Sequence, residues 1–472
     1  MDLTCLHAFS DTRAAKPQDC LDVGQSATGH WNRPGFEMVW SSLALVALTV
    51  AGSIPGGYCQ DRQMMQQYPV TSYDNLAVCN DNSTYNYYHR PGVGSGSNQW
   101  VIYFDGGHWC TDLNSCNTRY SSSPGLMSSN FQPSTLYHGS GITSPNQNTN
   151  PYWFGANHVF MNYCTSDVYR GDVATPRWQF RGKRCVAATI KSLLATKNLK
   201  AATDILLVGS SAGGPGVTSN AGDIYSLITA AGGAPKHFKL YSDGGWFIDL
   251  PEFNGGNGAT YQSDAKALQS YNGVTFDSQC TSNYPGATWK CMLPMYNWAF
   301  LPAPLINHEY LYDTGNLAED NAQPSNYESF RTLMTASFNL GGPGVGVQSL
   351  TSNSAALGVI NGRPTAVAPG KPTPYNSTTL PGGGGPVGYK PTIANQQAST
   401  LNIYAEACFL HTTVDTAQFT ESQVNGVNFN QALWQWFMDD NTLVQEVDTV
   451  AGQRTSDDCS STFTGMLVLA GR

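Results

Sequence analysis

Short apolar runs that end in small or polar residues recur along the chain from Trp100 onward. They read WVIYFDGG, HVFMNYC, ILLVGSSAGG, HFKLYSDGG and PLINHEYLYDTG. Segments with helical spacing lie between several of them, and one such apolar face comprises Val186, Ile190, Leu193 and Leu194. Continuous apolar strands that alternate with helices predict an α/β fold, with a mostly parallel sheet covered by helices on both faces. Such sheets carry their chemistry beyond the C-terminal strand ends.

Two regions depart from this pattern. MVWSSLALVALTVAGS, which begins at Met38, contains an apolar run of about a dozen residues, a length typical of a signal-peptide core. We therefore expect residues 1–58 to be an N-terminal region with a signal peptide at about 38–53 and with Met38 as the true start; a short anchor or buried segment is the alternative. The Gly- and Pro-rich residues 341–392 predict a flexible insertion within one domain that spans residues 59–472.

Composition narrows the class of protein. Charged residues make up 12% of the 472 positions, against about 25% in an average globular protein. The net charge is −9 and there is no Lys/Arg run, which argues against nucleic acid and acidic membranes as partners. The 12 cysteines include no Cys-x-x-Cys pair, which favours disulfides over zinc. Asn82 and Asn376 each begin an Asn-Ser-Thr acceptor for glycosylation in a secreted protein.

The residues Gly209 to Gly213 match the pattern G-x-S-x-G directly after an apolar run. A serine at a tight strand-to-helix turn projects its hydroxyl above the sheet, and the small flanking residues avoid clashes in the strained backbone. The following helix, predicted from IYSLITAA, presents N–H groups to a developing oxyanion. We therefore expect Ser211 to be a nucleophile; the alternative is a plain packing turn.

Three histidines follow this serine and are candidates for its general base. They are His237, His308 and His411. His237 precedes the strand HFKLYSD, so it lies at the wrong end of the sheet. His308 lies within PLINHEYLYD, where we expect a buried ring or one that points into the helix layer. His411 follows a strand end near the C-terminus and is the best base by elimination.

Two aspartates that end apolar runs are candidates for the orienting acid. Asp313 ends HEYLYD and Asp243 ends KLYSD. The expected chain order is Ser, Asp, His, and Asp313 lies on the later strand, so position alone favours it. Asp243 then has the alternative of a turn residue before two glycines.

A second oxyanion donor must come from an earlier strand end. YFDGGHWC places Gly106 and Gly107 directly after the apolar strand WVIYF. A Gly-rich loop at this place supplies a backbone donor in other hydrolases. The alternative is an ordinary strand-exit turn.

Seven segments, taken in order, resemble the pectin acetylesterase/Notum family of secreted serine carboxylesterases. They are CNDNSTYNYY, DGGHWCTDLNSCNTRY, NYCTSDVYRGD, GSSAGG, SDGGWFID, YLYDTGNL and ACFLHTT. The resemblance covers roughly Cys79 to Cys459 without residues 341–392 and implies an α/β-hydrolase-like fold. By resemblance the catalytic triad falls on Ser211, Asp313 and His411, which favours Asp313 over Asp243. The oxyanion donors fall on the backbone N–H groups of Gly107, His108 and Ala212.

This chain departs from the family at three places. His108 stands where plant members have Gly and Notum has Trp, Ser210 replaces a cysteine before the nucleophile, and DTGN replaces the usual continuation after the acid strand. A polar His108 is a poor lining for a pocket that binds a long acyl chain and Ser210 adds polarity nearby, so these two changes favour a small acyl group. The alternative is that His108 points to solvent.

The resemblance implies an extracellular or cell-wall esterase that removes acetyl groups from polysaccharide such as pectin. Such an esterase needs no metal or cofactor. We expect the protein to be a monomer with no stable membrane association. One alternative is a Notum-like deacylase that acts on a fatty acyl group of a protein or lipid. Another is a non-catalytic carbohydrate-binding protein that uses Trp153, Trp178 and Trp246 to stack on sugars.

Four disulfides are expected. Cys110 and Cys116 lie close together in one loop, Cys280 and Cys291 flank a Pro-Gly turn, and Cys408 can reach Cys459 in the tail. The family resemblance implies a bridge between Cys79 and Cys164. Cys59 and Cys185 are left as a fifth pair, and Cys5 and Cys20 are expected to precede the mature chain.

Overall fold

A computed structural model describes residues 64–136, 139–250, 252–253, 260–338, 401–416 and 418–448, together with short strands at 359–360 and 363–364. The described residues belong to one compact unit. The expected signal peptide and most of the expected insertion lie outside these residues. So do Asn376, Cys5, Cys20, Cys59 and Cys459.

A ten-stranded sheet organises the described residues. The strands of this sheet and of three two-stranded sheets are numbered together along the described residues. They are β1 (Met65–Pro69), β2 (Asn86–Arg90), β3 (Gln99–Phe104), β4 (Thr135–Leu136), β5 (Asn157–Met161), β6 (Val173–Ala174), β7 (Gln179–Phe180), β8 (Asp204–Ser210), β9 (His237–Asp243), β10 (Leu305–Tyr310), β11 (Val359–Ile360), β12 (Arg363–Pro364), β13 (Leu401–Glu406), β14 (Gln423–Val424), β15 (Val427–Asn428) and β16 (Gln445–Val447). The order across the large sheet is β16-β13-β10-β9-β8-β3-β5-β2-β1-β4. The neighbours from β16 to β5 pair in parallel, whereas β2, β1 and β4 add an antiparallel edge. The predicted mostly parallel sheet is confirmed.

The described helices cover both faces of this sheet. They are α1 (Leu113–Ser122), α2 (Gly182–Thr196), α3 (Gly213–Ala230), α4 (Tyr261–Tyr271), α5 (Ser278–Asn283), α6 (Pro294–Asn297), α7 (Thr314–Glu319), α8 (Tyr327–Ser337), α9 (Gln418–Glu421) and α10 (Phe429–Met438). Val186, Ile190 and Leu193 of α2 are buried, as the helical spacing predicts. Leu194 is partly buried and packs against the same cluster.

Successive side chains of the central strands enter two separate cores. In β3, Trp100, Ile102 and Phe104 pack with α2 and α3, while Val101 and Tyr103 pack with α10 on the opposite face. This alternation follows from the two-residue period of a strand. A strand buried on both faces reads as a continuous apolar run, which explains the pattern in the sequence.

Three of the expected disulfides are present: Cys79–Cys164, Cys110–Cys116 and Cys280–Cys291. Cys408 is also disulfide-bonded, and its expected partner Cys459 lies outside the described residues. The expected pairing of Cys185 with Cys59 is wrong, because Cys185 is a free thiol. Cys185 sits on the inner face of α2 in the larger core, where burial raises the pKa of its thiol.

No helix among the described residues is both long enough and apolar enough to cross a membrane. Asn82 is exposed at a turn that follows Cys79, where its side chain is accessible to modification.

Candidate active site

Ser211 lies at the turn between β8 and α3 with a left-handed backbone, φ +53°. Such a conformation is strained for a residue other than glycine. Its glycine neighbours allow the close approach: a Cβ on Gly209 would lie 2.1 Å from the Gly213 carbonyl oxygen, and one on Gly213 would lie 2.1 Å from the Phe104 oxygen. A side chain at Gly209 or Gly213 would therefore clash with backbone atoms, so both positions of the motif require glycine.

His411 joins Ser211 to Asp313 by two short hydrogen bonds. Its Nε2 lies 2.7 Å from Ser211 Oγ, and its Nδ1 lies 2.7 Å from Asp313 Oδ2. His411 follows β13, and 29% of its side chain is exposed, so a substrate can approach the ring. The structure therefore brings together the serine, aspartate and histidine that the sequence singled out.

Asp313 is held rigidly at the start of α7. Its Oδ1 accepts hydrogen bonds from the backbone N–H of Asn316 at 2.7 Å and from Asn316 Nδ2 at 3.0 Å. This is an N-cap arrangement, in which a carboxylate satisfies a free N–H of the first helical turn. The other oxygen is left for His411, and the side chain is completely buried.

Charges around the pair set the protonation of His411. Burial opposes the imidazolium, but the charge of Asp313, their hydrogen bond and the more distant charge of Asp243 together raise the pKa of His411. Burial, with the charge of Asp313 added, raises the pKa of Glu309 well above its ordinary value. Burial and the neighbouring charge therefore both favour the protonated form of Glu309 beside Asp313.

The other two candidate histidines lie elsewhere. His237 begins β9 and pairs with Asp204 at 2.6 Å, at the end of the sheet opposite to Ser211. His308 is completely buried in β10, between Asp243 at 2.8 Å and Glu406 at 3.0 Å. Neither ring contacts Ser211, in agreement with the elimination from sequence.

The loop after β3 lies directly against Ser211. A Cβ on Gly106 would lie 2.9 Å from the Ser211 Cβ. Gly107 and His108 have positive φ values of +131° and +58°, and Ala212 is the buried residue before α3. Within the described part of the chain, no group accepts a hydrogen bond from the N–H of Gly107, His108 or Ala212. These three donors are available to a ligand.

The His108 side chain lies at the rim of the site. It is 55% exposed, stacks on Trp109 with ring centroids 4.4 Å apart and lies 3.6 Å from a carboxylate oxygen of Glu319. Ligand atoms of His108, Asp264 and Glu319 lie within 4.8 Å of one another, a spacing that could also hold a metal ion. The His108 ring therefore points to solvent, which is the alternative stated from the sequence. Its polarity gives no information about the lining of an acyl pocket.

Residues that the sequence did not single out form an aromatic wall beside this rim. Trp109 donates its indole N–H to Asp264 at 2.5 Å. Trp109 and Tyr261 both pack on Phe247, with centroids 5.5 and 4.5 Å away. Burial, with the charge of Glu319 added, raises the pKa of Asp264 to about 6. These contacts join segments far apart in the chain, so the sequence carried no signal for them.

The tryptophans proposed to stack on sugars are core residues. Trp153, Trp178 and Trp246 have exposed fractions of 0%, 1% and 0%. An indole without an exposed face cannot stack on a carbohydrate. The carbohydrate-binding interpretation therefore loses the residues on which it depended.

Comparison with known proteins gives a family and two groups of relatives. The pectinacetylesterase family model matches residues 58–341. The palmitoleoyl-protein carboxylesterase notum2 of Xenopus laevis is 28% identical over 372 residues, which is 77% of this chain and 65% of that protein. Human NOTUM is 30% identical over 56% of this chain and 54% of its own length. The chain thus spans two thirds or less of these Notum proteins.

A plant relative and a solved structure extend the comparison. Pectin acetylesterase 7 of Arabidopsis thaliana is 30% identical over 59% of this chain and 68% of its own length. The crystal structure of the Wnt deacylase Notum from Drosophila superposes with a TM-score of 0.66 at 20% identity, covering 84% of this chain and 99% of that one. At this identity the superposition shows a shared α/β-hydrolase-like fold.

Proposed function

The chain belongs to the pectinacetylesterase family, and on that premise we propose that it is a secreted serine carboxylesterase that removes acetyl groups from cell-wall polysaccharide. The observation that carries the proposal is the hydrogen-bonded series Ser211–His411–Asp313, with 2.7 Å at both contacts. A binding protein has no need for a serine, an imidazole and a buried carboxylate in this order. Secretion is supported by the disulfides, since such bonds persist in oxidising compartments.

The reaction follows from the contacts of each group. His411 Nε2 takes the proton of the Ser211 hydroxyl as the oxygen attacks the ester carbonyl carbon. Asp313 accepts the Nδ1–H of His411, which fixes the tautomer and stabilises the imidazolium. The proton then passes to the leaving alcohol, and water, activated by the same imidazole, hydrolyses the acyl-serine.

The tetrahedral intermediate carries its negative charge on the former carbonyl oxygen. The N–H groups of Gly107, His108 and Ala212 are the proposed donors to this oxygen. Their lack of partners among the described residues supports the assignment. Preorganised donors of this kind lower the barrier because they need no reorientation when the charge develops.

The surroundings of Ser211 support a small acyl group on a sugar. His108, Asp264 and Glu319 form a polar group beside the oxyanion loop, suited to sugar hydroxyls. Trp109, Phe247 and Tyr261 are buried and already packed on one another. A long acyl chain gains about 0.8 kcal/mol for each buried CH₂ and therefore requires free apolar surface, whereas these three rings are already engaged with one another.

A Notum-like deacylase is the second candidate function. It is favoured by the relative that aligns over 77% of this chain, which is a palmitoleoyl-protein carboxylesterase. The same catalytic residues serve either ester, so the two functions differ in the acyl group and in the molecule that carries it.

The test is a series of p-nitrophenyl esters from acetate to palmitate, together with release of acetic acid from acetylated pectin and acetylated xylan. We expect the highest kcat/KM with acetate and butyrate, and acetic acid from at least one polymer. A kcat/KM that rises steadily to dodecanoate would favour the deacylase instead. Ser211→Ala protein, prepared in parallel, controls for contaminating esterases.

A further inference from the structure

Asp243, the last residue of β9, contacts both halves of the proposed catalytic machinery. Its backbone oxygen accepts a hydrogen bond from the N–H of Ser211 at 2.8 Å. Its Oδ2 accepts the backbone N–H groups of Thr413 at 2.7 Å and Val414 at 3.0 Å. Those two amides follow His411 closely in the chain. One residue therefore ties the turn of the nucleophile to the loop of the base.

The other oxygen of Asp243 is also occupied. Its Oδ1 accepts the hydroxyl of Tyr241 at 3.0 Å and lies 2.8 Å from His308 Nδ1. His308 in turn reaches Glu406 of the next strand at 3.0 Å. Asp243, His308 and Glu406 thus form a buried row across β9, β10 and β13, directly beneath the His411 loop.

The backbone beneath the loop packs closely on it. A Cβ on Gly244 would lie 2.0 Å from the backbone oxygen of His411, and the Gly244 N–H bonds to the His308 oxygen at 3.1 Å. The His411 loop therefore rests directly on the segment that follows β9.

We propose that Asp243 is a positioning residue that holds the His411 loop in register with Ser211, and that His308, backed by Glu406, holds the Asp243 side chain in place beneath that loop. The inference rests on the proposed esterase function. Asp243 meets three donors and an imidazole, and a carboxylate is the side chain that can accept from all of them. An amide at the same place would turn an N–H₂ group toward these donors and leave buried partners unsatisfied.

The electrostatics agree with this geometry. Burial disfavours the charged form of His308, but its contacts with Asp243 and Glu406 raise its pKa to about 9. Below about pH 9 His308 is therefore an imidazolium held between the side chains of Asp243 and Glu406. Titratable groups facing Asp243 and His411 from the surrounding elements are Tyr103 (β3), Tyr241 (β9), His308, Glu309 and Tyr310 (β10), Asp313 (before α7), Glu406 (β13) and Asp415 (after His411).

The test is Asp243→Asn in the full chain, with kcat and KM for p-nitrophenyl acetate measured across pH. We expect kcat to fall about 10- to 100-fold with little change in KM, because a misplaced base costs rate rather than binding. We also expect the acid limb of kcat/KM to move to lower pH. The negative charge of Asp243 raises the pKa of His411, so its removal makes the imidazole easier to deprotonate.

The matched control is Asp204→Asn. Asp204 and His237 form a similar carboxylate–imidazole pair at the opposite end of the neighbouring strands, 2.6 Å apart. Its loss should lower the melting temperature and leave the acid limb in place. A purely structural role for Asp243 would give the same result in both variants.

Tyr241→Phe covers the case in which Asp243→Asn does not fold. It removes one donor to Asp243 with no change in shape, and we expect kcat to fall about two- to tenfold. An inactive wild-type protein would overturn the proposed function itself. If the wild type is active, three results would overturn the positioning role alone. They are an unchanged kcat and acid limb in Asp243→Asn, an unchanged kcat in Tyr241→Phe, and an equal shift of the acid limb in Asp204→Asn.

Discussion

Gly315 lies flat against the imidazole of His411. A Cβ at this position would lie 2.7 Å from Cε1, 2.9 Å from Nδ1 and 3.1 Å from Nε2 of the ring. Distances below 3.0 Å do not occur between real Cβ atoms and ring atoms, and this ring is held at both nitrogens, so it cannot turn away without losing a hydrogen bond. The glycine of the DTGN segment therefore leaves the space that the His411 ring occupies.

Gly315→Ala should displace this ring. Gly315 lies in the first turn of α7 with no positive φ, so alanine suits the backbone and the damage comes from the methyl group. We expect kcat to fall about 10- to 100-fold, as for other small misplacements of a catalytic group. Steady-state kinetics with a short ester would measure it. Gly222→Ala in α3, where a Cβ meets nothing within 4 Å, is the control and should keep full activity.

Ser211→Ala should abolish hydrolysis, because its hydroxyl is the proposed attacking group. Loss of a triad member costs on the order of 10⁴-fold in kcat/KM. A fluorophosphonate probe should label the wild-type protein at Ser211 and leave this variant unlabelled. The adjacent Ser210→Ala is the matched control, and equal labelling or activity in both variants would refute the assignment.

Stability should depend on pH through His308. Its folded-state pKa of about 9 is above the ordinary value of 6.5, so the imidazolium contributes stability that is fully present below about pH 6.5 and lost as pH rises through 9. We expect the melting temperature to decline between about pH 7 and pH 9.5. His308→Gln should be less stable at pH 6 and lack this decline; a parallel decline in both proteins would contradict the charge assignment.

Disulfide mapping without reduction should recover Cys79–Cys164, Cys110–Cys116 and Cys280–Cys291. The buried thiol of Cys185 should react with an alkylating reagent only after the protein is denatured.

Cys79–Cys164 closes a loop of 85 positions, whereas Cys110–Cys116 closes one of six. The longer loop restricts the unfolded chain more, so its removal should cost about 2–5 kcal/mol of unfolding free energy. Urea denaturation of the double alanine variants would compare them, and an equal cost would argue against the loop-entropy explanation.

The sequence predicted the central strands well and the antiparallel edge poorly. β3, β5, β8, β9 and β10 are buried on both faces and stand out as apolar runs. β1 reads MQQYP, with Gln66 exposed and Gln67 half-buried, and pairs antiparallel with β2. β1 lies between β2 and β4 near the edge of the sheet, and a strand with one wet face has no continuous apolar signal.

The candidate site divides in a similar way. Chain order and strand ends favoured Ser211, Asp313 and His411, since residues at the C-terminal ends of parallel strands meet at one edge, and the family resemblance then favoured Asp313 over Asp243. The row beneath them was hidden, because it depends on strand register: His308 lies directly opposite Asp243 in the pairing of β9 with β10. Register is a property of the assembled sheet that a single chain pattern does not carry.

The proposed nucleophile, Ser211, and the proposed base, His411, lie 200 positions apart in the chain. β8 delivers Ser211 early, while His411 follows β13, which pairs with β10 and β16. A chain that emerges from the ribosome can therefore complete the nucleophile turn long before the imidazole exists beside it. Such a precursor lacks its proposed general base, so we expect ester hydrolysis to begin only after β13 has joined the sheet and placed His411 beside Ser211.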